Sequence, residues 1–323
     1  MRAVRFDQTG GPEVLRLVDV ATPEPGPGQV RIRQASIGVN FIDTYHRTGL
    51  YPVPLPSGLG LEGAGVIEAI GEGVTRFAIG DRVGFCSGPI GAYAEAHVVA
   101  ADRVVTIPDD VSFEIAAASM LKGMTARYLL RKTFPVERGT TIVVYAAAGG
   151  VGQILIQWGK KLGARVISVV GSDDKAAIAD RLGSDYTIVS TRTNIAKAVR
   201  EYTNGEGADV AYDSVGKDTF EATLDSLRPL GMFVSYGASS GPPTPFAPGI
   251  LGAKGSLFFT RPSLFDYTRT PTLLQETADD LWRVIAAGDV VIAPPLRYAL
   301  ADVVQAHRDL EGRRTTGSVV LTP

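Results

Sequence analysis

Between positions 145 and 153 the chain reads YAAAGGVGQ, which crowds Gly149, Gly150 and Gly152 into four residues. Dinucleotide-binding loops follow G-x-G-x-x-G. One glycine allows a tight turn, the next lets backbone approach a pyrophosphate, and the third lets the following helix pack on the strand. On that template Gly149 and Gly152 fall in register, and Ala147 replaces the first glycine, adding one methyl at the turn. The N–H groups of a helix opening at Gly150 and Val151 would then hold phosphate with the help of the helix dipole. Without a ligand the same residues make a tight crossover turn and nothing more.

About twenty positions further on, an acidic residue would grip a ribose 2′-hydroxyl and select NAD. The chain instead reads VVGSDDK over 169–175: Gly171 stands where the acid would be, with Ser172 and Lys175 close by. A hydroxyl and an ammonium without the acid suit a 2′-phosphate, hence NADP. Asp173 and Asp174 would repel that phosphate if they pointed inward. Facing solvent, they would favour a helix N-terminus, with Asp173 as its cap. Metal chemistry has little to work with. The three histidines, His46, His97 and His307, are scattered, and the single cysteine, Cys86, rules out an intrachain disulfide or a multi-cysteine cluster.

These loops need a βαβ unit around them, and one is legible. The apolar run 141–145 predicts a strand, 151–162 an amphipathic helix, and 165–170 a second strand. Thr140 to Gly159 carries no charge over 20 residues, enough to span a bilayer, but its β-type opening, four glycines and two glutamines fit a buried strand–turn–helix better. Around this unit, strand-like and helix-like segments alternate from about Ser112 to Gly237, the pattern of parallel strands joined by crossovers. Gly163 and Gly183 stand where helices should end. The first ~120 residues instead carry short extended runs (AVRF, QVRIRQASIGV, GAGVIEAIG, AYAEAHVV) between Gly/Pro turns, predicting a β-rich domain. The last ~35 residues mix helix and strand and are expected to return to that domain.

The bulk numbers agree with an ordinary two-domain enzyme. The chain has 323 residues, 45% hydrophobic and 20% charged, with a net charge of −2. At a pI near 6.0 it has no basic field for nucleic acid or an anionic membrane. The opening MRAVRFDQTGG lacks the apolar core of a secretory signal, so a cytoplasmic location is expected.

Eight stretches, in order along nearly the whole chain, resemble the zinc-free quinone oxidoreductases (zeta-crystallin-like) of the medium-chain dehydrogenase/reductase superfamily. They are GGPEVL at 10–15, NFIDTYHRTGLYP at 40–52, PSGLGLEGAGVI at 56–67, GDRV at 80–83, AAASMLKGMTARYLLRK at 116–132, the glycine loop, YDSVGKDTF at 212–220 and KGSLFFTRPSL at 254–264. The resemblance implies an α/β fold: a GroES-like substrate domain from residues 1–123 completed by 263–323, and a doubly wound Rossmann domain over 124–262. Zinc members of the superfamily carry a cysteine, a His-Glu pair and a four-cysteine lobe. Here the matching places read Gly38-Val39-Asn40 and Leu61-Glu62, with no lobe, so no metal is expected and Glu62 reads as a buried structural carboxylate.

The resemblance also implies roles. Asn40, Asp43, Tyr45 and Arg261 match catalytic positions, Tyr45 as hydrogen-bond donor to the acceptor oxygen unless it is only a packed aromatic. Phe41, Ile42, Tyr128, Gly149, Gly150, Val151, Gly152, Gly171, Ser172 and Lys175 match cofactor contacts. So do Ser190, Ser214, Val215, Tyr236 and Gly237, with Arg313 at the adenosine end. Two positions depart from the pattern: relatives often carry Tyr at Ser190 and Asn at Ala238. The expected reaction is metal-free hydride transfer from NADPH to a quinone. An enone or alkenal double bond would be an alternative acceptor, and a crystallin-like or RNA-binding role a non-enzymatic one. Two chains are expected to pair through an edge strand at 256–260.

Overall fold

The computed structural model describes residues 1–323. Two short strands, β1 (Arg2–Arg5) and β2 (Arg16–Asp19), pair antiparallel. The chain then enters β3 (Gln29–Val39), where buried Val30, Ile32 and Gln34 alternate with more exposed Arg31 and Arg33. That period of two marks a strand with one covered face. Helix α1 (Phe41–Thr48) follows at once, and Gly49 closes it in a left-handed conformation (φ 82°) that a side chain would resist. Strands β4 (Glu62–Ile70), β5 (Arg82–Phe85), β6 (Ala96–Ala100) and β7 (Val105–Thr106) come next. The long helix α2 (Phe113–Tyr128) ends in a π-helical turn over Leu129–Thr133.

From β8 (Thr141–Tyr145) the pattern changes to strand–helix alternation: α3 (Gly150–Lys161), β9 (Arg165–Val170), α4 (Asp173–Arg181), β10 (Tyr186–Val189), α5 (Ile195–Tyr202), β11 (Ala208–Asp213), α6 (Phe220–Ser226) and β12 (Leu227–Ser235). Two short helices, α7 (Gly249–Ala253) and α8 (Leu264–Tyr267), flank β13 (Phe258–Thr260). The six strands form one sheet in the order β10-β9-β8-β11-β12-β13, every pair parallel. Every residue of β8 is buried, as is β9 after Arg165, because helices cover both faces of the sheet. Val143, Tyr145, Ile167 and Phe233 belong to its core. Gly163 and Gly183 end α3 and α4 with φ of 85° and 97°, as expected.

Helix α9 (Pro271–Ala286), β14 (Leu296–Ala299), α10 (Val303–Glu311) and β15 (Val319–Thr322) complete the chain. The second sheet runs β14-β15-β3-β4-β5-β7, with β6 also on β3, so the C-terminal strand pairs directly with β3. The β-rich unit is Met1–Met124, Thr268–Trp282 and Ile292–Pro323, and the Rossmann unit is Thr125–Tyr267 and Arg283–Val291. The expected return at 263 is therefore drawn differently. Residues 263–267 stay with the Rossmann unit, where Tyr267 stacks on Tyr128 at 4.4 Å. Residues 283–291 belong there too: Lys161 pairs with Asp289 at 2.9 Å, and Gln157 bonds both the N–H and the carbonyl of Val291. No helix is long and apolar enough to cross a membrane.

Candidate functional site

In the Rossmann unit, the turn after β8 puts Ala146 in a left-handed conformation (φ 49°). The tight turn thus falls one residue before Ala147, whose methyl is fully buried and costs the turn nothing. The Ala146 carbonyl accepts the Gly149 N–H at 2.9 Å, and Gly149 is the extended residue that opens α3. A Cβ at Gly152 would lie 2.5 Å from the Ala146 oxygen and 2.7 Å from the Ala147 Cα. Only glycine lets helix and strand approach so closely. The first turn of α3, Gly150 to Gly152, presents N–H groups that a helix leaves without internal partners.

At the end of β9, a Cβ on Gly171 would meet nothing within 4 Å, so the expected acid position opens outward. Ser172, not Asp173, stands at the N-cap of α4, with its hydroxyl making no cap bond. Asp173 is the first helical residue, and Arg192 clasps its carboxylate through two 2.6 Å contacts. That guanidinium holds the Asp173 carboxyl below its ordinary range. Arg192 was not among the expected site residues, and its only signal is a cation just past β10 on the strand neighbouring β9. Lys175 lies half-buried in the first turn of α4, and the Ser190 hydroxyl donates to the Val170 carbonyl at 3.0 Å.

The loops after β11 and β12 are tied together. Buried Asp213 accepts the N–H groups of Val215 (2.7 Å) and Gly216 (3.1 Å) and the hydroxyls of Thr219 and Thr223. Burial raises its carboxyl while those four donors oppose the shift. Ser239 and Ser240 donate their N–H groups to the carbonyls of Ser214 and Val215. A Cβ at Gly237 would lie 2.8 Å from the Ser214 oxygen. Arg261, just past β13, reaches the Ser235 carbonyl at 2.9 Å. Tyr128 stacks on Tyr267, and burial, with Tyr236 adding to it, raises its hydroxyl pKa. All these loops sit at the carboxyl ends of one parallel sheet, the place where such sheets bind nucleotides. Arg313 belongs to the β-rich unit, in a left-handed turn (φ 57°) after α10.

In the β-rich unit, the stretch expected to carry catalysis is α1. Its start is held from two sides. Asp43 Oδ2 accepts the Asn40 N–H at 2.8 Å, the returning arm of a capping box, and the Tyr93 hydroxyl at 2.7 Å. The Asn40 side chain donates to Glu62 Oε2 at 2.7 Å, while Glu62 Oε1 accepts the Leu121 N–H. Arg47 carries only donors and contacts His307 Nδ1 at 3.0 Å, so Nδ1 accepts and Nε2 bears the proton. Nε2 then donates to Tyr93, 3.2 Å away, and Tyr93 donates onward to Asp43. Burial pushes His307 down to about 3, keeping it neutral in this chain. Tyr45 is 8% exposed and packs edge-on against Phe41 and Tyr51.

Asp43, expected among the catalytic residues, has no solvent exposure, and its hydrogen bonds go to the helix start and to Tyr93.

Comparison with known proteins places this architecture. Residues 26–109 match the family described as alcohol dehydrogenase GroES-like domain, and 150–278 the one described as zinc-binding dehydrogenase. A quinone oxidoreductase of Pseudomonas aeruginosa is 52% identical over 100% of this chain and 99% of its own. The chain belongs to the quinone oxidoreductase family of the medium-chain dehydrogenase/reductase superfamily. Among solved structures, the Escherichia coli quinone oxidoreductase complexed with NADPH aligns with a TM-score of 0.99 at 43% identity, covering 100% of both chains. That of Pseudomonas syringae pv. Tomato aligns at 0.98 and 49%, covering 100% of this chain and 99% of its own.

In this member of the quinone oxidoreductase family the residues do not fit a zinc ion, despite the name of the matched domain. A Cβ at Gly38 would lie 2.2 Å from Glu62 Oε2 and 2.4 Å from the Ala117 oxygen, leaving no room for a cysteine. Leu61 has no donor atom, and no group of three or more His, Cys, Asp or Glu is arranged to hold a metal.

Asp43 yields a pH prediction. Burial, against its hydrogen bonds and Lys122, lifts its carboxyl from 3.8 to about 7. Between those values the folded chain holds a proton that the unfolded chain has lost, so stability falls as pH rises through that window and levels off above it. Asp43→Asn keeps one oxygen for both donors and removes the titration. Its Tm should exceed that of the unmutated protein by about 3 °C or more at about pH 8 and converge with it near pH 4. Calorimetry across that range checks this, and a variant melting lower at every pH counts against the buried-charge account.

Proposed function

We propose that this chain is a cytoplasmic, metal-independent NADPH:quinone reductase. When bound, NADPH supplies the hydride, and the protein supplies binding and orientation. The N–H groups of Gly149 to Gly152 receive the pyrophosphate. Ser172 and Lys175 face the 2′-phosphate, beside Ser190. Ser214, Val215, Tyr236 and Gly237 frame the nicotinamide half with Tyr128 and Arg261. Phe41 and Ile42 contact the cofactor, and Tyr45 donates to the quinone oxygen as negative charge develops there. What carries this reading is that the glycine loop, Gly171 to Lys175, Ser190, Ser214, Val215, Tyr236 and Gly237 lie in loops and first helical turns that follow strands β8 through β12 of a sheet in dinucleotide-binding order.

The cofactor preference is tested by fluorescence titration. NADPH should bind at least about tenfold tighter than NADH, a difference of about 1.4 kcal/mol, and Lys175→Ala should shrink the gap. Equal affinities in the unmutated protein would sink the assignment.

Turnover tests the chemistry. Consumption of NADPH with a quinone panel should persist in the presence of a chelator. Tyr45→Phe should leave NADPH affinity unchanged and lower quinone turnover about ten- to a hundredfold. A Tyr45→Phe enzyme running at the original rate would reduce Tyr45 to packing.

The reading includes a two-fold dimer formed through β13. This strand pairs with β12 on one side only, and Phe258 on it is 56% exposed. An apolar edge of this kind is a hazard unless covered, and a second copy would cover it. Light scattering should give twice the 34.1 kDa chain mass, and a persistent single-chain mass at high concentration would refute it.

A further inference from the structure

The start of α1 rests on two acids, Asp43 and Glu62, neither with any solvent exposure. The ammonium that acts on both is that of Lys122 in α2. Its Nζ lies 3.6 Å from Glu62 Oε2, is closed off from solvent, and has no hydrogen-bond partner. Glu62 joins three elements: it stands at the start of β4, grips the Asn40 side chain through Oε2, and takes the Leu121 N–H of α2 through Oε1. Gly38, opposite Glu62 on β3, leaves the carboxylate its room.

Both oxygens of Glu62 therefore face donors. Two N–H donors and a nearby ammonium favour the carboxylate over the acid at this position. A buried carboxylate without a counter-charge takes up a proton instead. Burial does raise Glu62, and Lys122 leads the groups that oppose the rise. The other titratable groups within electrostatic reach of Glu62 are Asp43, Tyr93 and Cys86.

We propose that Lys122 is a positioning residue for quinone reduction: its buried ammonium keeps Glu62 a carboxylate, Glu62 holds Asn40, and Asn40 fixes the start of the helix that carries Tyr45. The last link rests on the reading of α1 as the acceptor-side element.

Lys122→Met keeps the length of the side chain and removes its charge. Quinone turnover should fall about tenfold while NADPH affinity changes less than about twofold. The kcat profile should gain an acid limb that the unmutated enzyme lacks, with turnover lost as pH falls and Glu62 protonates. A limb arising from Asp43 would survive the added substitution Glu62→Gln, whereas one arising from Glu62 should vanish. The double variant should also regain part of the Tm that Lys122→Met loses, because Glu62 no longer brings a buried charge without a counter-ion.

The carboxyl resonance of Glu62 in 13C-glutamate-labelled protein reads its ionisation without any turnover. In the unmutated protein it should stay that of a carboxylate across the neutral range, and in Lys122→Met it should move to that of a carboxylic acid. A Glu62 that titrates near neutrality in the unmutated protein overturns the proposal even if no variant folds. So does a Lys122→Met enzyme with unchanged resonance, turnover and pH profile. Failure of the quinone-reductase reading shows separately, as an unmutated protein that consumes no NADPH with any quinone, and the resonance still decides the Lys122–Glu62 link.

Discussion

A close approach between α3 and the end of β8 organises the Rossmann unit. With the Ala146 oxygen only 2.5 Å from where a Cβ at 152 would stand, helix and strand are joined almost backbone to backbone. The first turn of α3 follows β8 at the carboxyl edge of the sheet. The later loops then take positions along that edge, one strand spacing apart. Strand β11 lies directly against β8 and ends level with it, and there the Asp213 carboxylate ties down the N–H groups of 215 and 216 in its own loop. In a parallel sheet every strand delivers its loop to the same edge, so one well-packed crossover sets the floor on which the others are built.

The β-rich unit solves its problem with polar groups. Five of the eight residues of helix α1 are buried, among them the polar Asp43, His46 and Arg47. Burial of such groups is costly unless each finds a partner. Asp43 and Arg47 find theirs in distant parts of the chain, Tyr93 for the first and His307 and Glu311 for the second, while Glu62 holds Asn40 at the cap. Such a network tolerates few rearrangements, because moving one member strands another donor or acceptor in a dry interior. It holds the helix in one pose more firmly than interchangeable methyl groups would.

Much of this was legible in the chain. Continuous β-branched runs gave β8 and β9, and glycines at 163 and 183 marked the helix ends, because these signals are local. The glycine loop was legible for the same reason, although the left-handed residue proved to be Ala146, which no residue preference announces. Helix α1 could have been found from Asn40, Asp43 and Gly49, a cap pair and a terminator at helical spacing. Its partners could not, since nothing near Asp43 in sequence points to Tyr93 or His307. The clasp of Asp173 by Arg192 was hidden likewise: it joins residues on neighbouring crossovers, and only the strand order makes them meet. Local chemistry is written in the sequence, and the pairing of distant charges is written in the topology.

The two sheets differ in when they can be completed. The parallel sheet is built from one uninterrupted run, β8 to β13, so all its partners are present once that stretch has been synthesised. The other sheet waits. Strand β3 is made early, yet Val39 pairs with Val319 and Gly38 with Val320, residues made only after the whole parallel sheet. Arg47 waits in the same way for His307 and Glu311. During synthesis the N-terminal half of the β-rich unit therefore stands with an unpaired strand edge and an unmatched buried guanidinium while the middle of the chain can fold beside it. The usual order, in which the first domain to emerge is the first to finish, is inverted here by where the last strand is placed.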